Sequence, residues 1–144
     1  MKSDAYQDRA EAFAAGLMVQ AAWPLLLLAA ALMAAPIIGA VAGPQATPIS
    51  AAAWLIAAAS AAATLAYSAL LVFDALLFRL MASHASEAAA GAAVDEVLAR
   101  MRLKPPSAGG RSLDRRMAGT HRLLARQRIA IGLFGATSLV AAFV

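Results

Sequence analysis

Residues 12–73 read AFAAGLMVQAAWPLLLLAAALMAAPIIGAVAGPQATPISAAAWLIAAASAAATLAYSALLVF, with no charged side chain between Glu11 and Asp74. At the α-helical rise of about 1.5 Å per residue this run would extend about 90 Å, roughly three times the bilayer hydrocarbon thickness of about 30 Å. It must cross twice and turn back. The turning point is Gly43-Pro44-Gln45-Ala46-Thr47-Pro48, where glycine suits a helix C-terminus and two prolines cannot continue one. The run therefore predicts a helical hairpin with a non-cytoplasmic turn at 43–48.

Composition agrees with that reading. Of 144 residues 62% are hydrophobic and 14% charged, with a mean hydropathy of +0.73, whereas soluble domains run about 45–50% apolar and about 25% charged. Cysteine is absent, which removes disulfide scaffolds and thiolate-ligated zinc or iron–sulfur sites. Much of the apolar content is alanine, which favours helix strongly while adding little lipid affinity. The expected fold is all-α: a helical membrane protein with three transmembrane helices.

The first span is placed at 23–42, with Trp23 at the depth indole rings prefer and Pro24 in the opening turn. Before it, Tyr6, Ala10, Phe13 and Leu17 recur at helical spacing among Lys2, Asp4, Asp8, Arg9 and Glu11, which predicts an interfacial or cytoplasmic helix over 1–22. The alternative is one long tilted helix bent at Pro24. Pro36 is expected to kink the span near its far end. A secretory signal peptide is rejected, because the uncharged stretch far exceeds an h-region of about 7–15 residues and Pro24 interrupts it.

The second span, 49–74, is alanine-rich and inserts only modestly on its own. Small residues four apart, Ala57 with Ala61 and Ser60 with Thr64, allow close backbone approach, either to an oligomer partner or to the first span. A third span over 123–144 begins with Arg126 and Arg128, which can snorkel to headgroups, and contains Gly132 and Gly135 as a flat patch for helix contact. A short, partly inserted tail is its alternative.

Between the second and third spans, 75–122 predicts a basic cytoplasmic helical hairpin. Val94, Val97, Leu98 and Met101 fall at i, i+3, i+4 and i+7, an amphipathic helix with a Glu96–Arg100 pair, ended before Pro105-Pro106. Ser107-Ala108-Gly109-Gly110 is the turn, and Ser112 can cap the next helix. Residues 79–128 hold ten basic side chains against Glu87, Asp95, Glu96 and Asp114, a net charge of +6. By the positive-inside rule the N-terminus and this loop are cytoplasmic, and the C-terminus is periplasmic if the membrane is a bacterial inner membrane.

Arg100, Arg102, Lys104, Arg111, Arg115, Arg116, Arg122, Arg126 and Arg128 are the expected contacts to anionic headgroups or a partner, and the Val94, Val97, Leu98, Met101 face the expected partner-helix surface. Nucleic acid is a poor fit, since 79–128 contains no Phe, Tyr or Trp on which bases could stack. Asp74 adjoins the second span and is expected to form an interfacial charge pair with Arg79. Ser83-His84 with Asp74 has the residue types of a triad, but no nucleophile elbow or oxyanion loop accompanies them. His84 and His121 sit in no metal-ligand spacing, and no cofactor motif occurs. The expectation is a non-enzymatic accessory, assembly or scaffold subunit of a larger membrane complex, held by the bilayer and by a protein partner or homo-oligomer. The alternative is a small oligomeric transporter or channel.

Overall fold

The order of elements is α1 (Lys2–Ala42), α2 (Pro48–Ala82), α3 (Glu87–Arg100) and α4 (Leu113–Phe143). This computed structural model describes residues 2–42, 47–102 and 112–144, with side chains from 5–38 in the first of these stretches. The Gly43 to Ala46 part of the turn, and Lys104, Pro105-Pro106, Ser107 to Gly110 and Arg111, lie outside the described residues. All-helical structure is as expected, and α1, α2 and α4 are each long and apolar enough to cross a membrane. At 41, 35 and 31 residues they exceed the roughly 20 residues a crossing needs. The charges gather at the first half of α1, the end of α2 and the start of α4.

α1 is continuous through Pro24 and Pro36, so one helix runs across the position expected to divide an interfacial segment from the first span. Its buried positions Ala10, Ala14, Leu17, Ala21 and Pro24 follow a repeat of four and three residues, and Pro24 continues that inward stripe instead of ending it. The expected interfacial face of 1–22 changes meaning accordingly. Ala10 and Leu17 are buried by protein, and the Phe13 ring meets Phe78 edge-on at 4.8 Å and His121 at 5.5 Å.

α2 begins at a Thr-Pro signal. Pro48 occupies the first helical position, where its missing N–H costs nothing, and the Thr47 hydroxyl accepts from the Ser50 backbone N–H at 3.0 Å. α3 starts at Ser86, whose Oγ accepts from the Ala89 N–H at 3.3 Å. It ends earlier than the prolines require, with Arg102 in the left-handed region at φ 55 and its N–H bonded to the Ala99 carbonyl.

Contacts divide the chain into two units, residues 1–19 with 71–122 and residues 20–70 with 123–144. The second unit is built on small side chains. Ser50, Ala53, Ala57, Ser60, Thr64 and Ser68 form the buried stripe of α2, which permits close packing. So Ala57, Ser60 and Thr64 are already buried within this chain and are not left open to an oligomer partner. Gln127 on α4 is 1% exposed and donates from Nε2 to the Ser68 Oγ at 2.8 Å. A buried polar pair of this kind penalises any slip of α4 along α2, because a shifted register would strand both groups. The Gly132 and Gly135 patch makes no close contact: a Cβ at either would meet nothing within 4 Å. Large side chains on the outer faces, such as Leu26 (72% exposed), Leu32 (76%), Leu55 (73%) and Ile129 (70%), give this unit the apolar surface that suits lipid.

Candidate functional site

The first unit concentrates the chain's polar contacts. Arg116 sits on the inward stripe of α4, three residues after buried Leu113 and four before buried Thr120. Its Nη2 lies 3.0 Å from the Asp95 Oδ1 of α3, with side-chain exposures of 13% and 26%. One turn on, Thr120 donates to the Asp74 Oδ2 of α2 at 2.8 Å. Glu87, in the first turn of α3, accepts the Leu113 backbone N–H at 2.7 Å and thereby caps α4 from another helix. Arg9 of α1 meets Asp114 at 2.9 Å on the surface, and Gln7 donates to the His84 carbonyl at 3.2 Å. Each helix is tied to another by at least one such contact, so the polar layer fastens four helices together.

Several expected site residues are placed differently. Arg116 is turned inward and serves an internal ion pair, so it is not a free headgroup contact. Asp74 and Arg79 form no ion pair: five positions along a helix is about 140° around it, whereas only residues three or four apart are neighbours. Asp74 is held by Thr120 and Arg79 is exposed. Val94 is fully buried inside the first unit, Val97 and Leu98 are half-buried, and Met101 is exposed, so the expected partner-helix face is largely used by the chain itself. Glu96 and Arg100 do pair, at 2.7 Å. Arg102, Arg115, Arg122, Arg126 and Arg128 are exposed, Arg128 reaching the Gln20 Oε1 at 3.4 Å. Gln127, Thr120 and Glu87 were outside the expected set.

Ser83 donates to the Leu80 carbonyl at 2.7 Å, and His84 Nδ1 lies 2.9 Å from the same carbonyl and 3.2 Å from the Ser83 Oγ, so both side chains turn to the backbone at the end of α2. Asp74 lies about 14 Å further back along α2. Among the described residues no group of three His, Cys, Asp or Glu side chains could hold a metal ion. In the second unit an apolar cavity of about 510 Å³ is lined by Leu28, Leu32, Trp54, Leu65 and Phe134, with the Ser138 hydroxyl buried beside it. No family model, curated protein sequence or solved structure matches the chain.

Proposed function

We propose that the protein is a multi-pass protein of a bacterial inner membrane that works as a non-enzymatic accessory, assembly or scaffold subunit of a larger membrane complex. The observation that carries this reading is the sorting of cations on α4. Arg116 is consumed internally by Asp95, while Arg115 and Arg122, seven residues apart and so on one helix face, are exposed and pair with no described residue. A helical unit fastened by its own polar layer and presenting two exposed arginines on one helix face suits docking to a partner's carboxylates or to anionic headgroups. A solute path would instead call for polar groups left open along one helix face, and here Asp74 and Gln127 are engaged with Thr120 and Ser68.

The test is recovery of the tagged chain from native membranes in mild detergent. We expect a discrete assembly containing another membrane protein at fixed stoichiometry, lost in an Arg115→Gln/Arg122→Gln variant that still inserts. Recovery of the chain alone, or only as a homo-oligomer, would remove the accessory reading and favour transport.

We place 75–122 on the cytoplasmic side because eight basic residues lie there, and the N-terminus with it through Lys2 and Arg9. Single cysteines at Gln45 and Ser107 test it in a chain with no native cysteine. Only the former should react with an impermeant thiol reagent added to intact cells, and external labelling at Ser107 would invert the topology.

A further inference from the structure

In the second unit, α2 and α4 leave a groove of about 460 Å³ between them, lined by Ile56, Ala59, Ala63, Tyr67, Arg126 and Leu133 among others. Its lining grades from one end to the other. The Ser68–Gln127 hydrogen bond sets the antiparallel register, which puts Tyr67 and Arg126 to either side of it, about 3 Å apart along the helix axes. From there the lining is almost wholly aliphatic down to Ile56, about 16 Å along α2, broken only by the buried Ser60. Among the described residues no carboxylate lines the groove. Arg126 is exposed and pairs with no described residue, in contrast to Arg9, Arg100 and Arg116, each of which meets an acid. The groove therefore offers five guanidinium donors and a phenol hydroxyl at one end, and a trough for a hydrocarbon chain below them.

We propose that this groove is a binding site for one anionic phospholipid, its phosphate held by Arg126 and Tyr67 and one acyl chain lying between α2 and α4. Charge complementarity selects the headgroup, since a guanidinium can grip phosphate through two parallel hydrogen bonds and no neighbouring acid competes for it. A zwitterionic lipid carries its own cation beside the phosphate and gains less. The site rests on the membrane reading of α2 and α4 and goes beyond it, from general attraction of a basic chain to a bilayer to one defined lipid position.

Native mass spectrometry of the full chain released from micelles tests this, with phosphatidylglycerol and phosphatidylcholine of identical acyl chains as probes. One equivalent of phosphatidylglycerol should be retained at least tenfold more strongly than phosphatidylcholine. Arg126→Gln should lower that retention about tenfold, Tyr67→Phe should lower it less, and Ala63→Leu, which fills the trough without changing charge, should lower it as well. Arg9→Gln removes the same unit of charge elsewhere and should change retention less than twofold. Equal losses in Arg126→Gln and Arg9→Gln, equal retention of the two lipids, or full retention in Ala63→Leu would each overturn the site. Helix content by circular dichroism is matched across variants, and resistance of the wild-type chain to alkaline carbonate extraction from vesicles is scored separately. Extraction would overturn the membrane reading itself, whereas a resistant chain without lipid selectivity overturns only the groove.

Discussion

Val94→Asp should undock α3 and open 87–102 to trypsin, whereas Met101→Asp should leave the digestion pattern unchanged. Val94 is fully buried, packed in the first unit on the side of α3 that also buries Ala90 and Gly91. A carboxylate there loses its water without gaining a cation, and Asp95 beside it adds a like charge. An uncompensated buried charge costs about 3–5 kcal/mol, enough to separate a short helix of 14 residues that has no independent stability. Met101 is 53% exposed, and substitutions at such positions usually stay within about 0.5 kcal/mol. Val94→Ala, which removes bulk without adding charge, should fall between, at about 2 kcal/mol. The measurement is trypsin cleavage at Arg100 and Arg102 in detergent, followed by mass. An Asp variant as resistant as the parent chain would mean that α3 is held by something other than this face.

How much of this could be read beforehand follows from where each signal is stored. The charge-free run made α1 and α2 legible as two long apolar helices, because exclusion of charge from hydrocarbon acts on every residue separately and is visible in composition. The local pair Glu96–Arg100 was equally legible from i,i+4 spacing. Pro24 was misleading as a boundary, since its local rule says start a helix while the stripe Ala10, Ala14, Leu17, Ala21 runs through it. The same spacing separates the fates of Arg115 and Arg116. Leu113, Thr120, Leu124 and Gln127 are buried, and only Arg116 fits their three- and four-residue spacing, so its inward direction and that of Gln127 were recoverable from the pattern around them. The partners were not. Asp74 and Thr120 are 46 residues apart and Ser68 and Gln127 are 59 apart, and a single chain contains no local rule linking such positions.

Arg116→Met should destabilise the first unit far more than Arg9→Gln, and Asp95→Leu with Arg116→Met together should restore most of the loss. Both arginines are about 3 Å from a carboxylate, at 3.0 and 2.9 Å, so distance does not separate them. Solvent does. The Arg9 and Asp114 side chains are 60% and 73% exposed, and such pairs contribute about 0–1 kcal/mol and weaken in salt. Arg116 and Asp95 are 13% and 26% exposed, so removing the guanidinium takes from Asp95 a cation that the little solvent there replaces poorly. That costs about 3–5 kcal/mol at full burial, and about 2–3 is expected for this partly open pair. Removing both charges abolishes the penalty, so the double variant should return to within about 1 kcal/mol of the parent, a coupling well above the additivity error of about 0.3–0.5 kcal/mol. Reversible denaturant titration in mixed micelles, run at low and high salt, provides the cycle. A salt-insensitive loss in Arg116→Met that the double variant rescues identifies the ion pair as a fastener of α3 to α4. If the double variant is as unstable as the single one, the role of Arg116 lies in its packing along the α4 stripe, and the polar layer holds the helices chiefly through Thr120, Asp74 and Glu87.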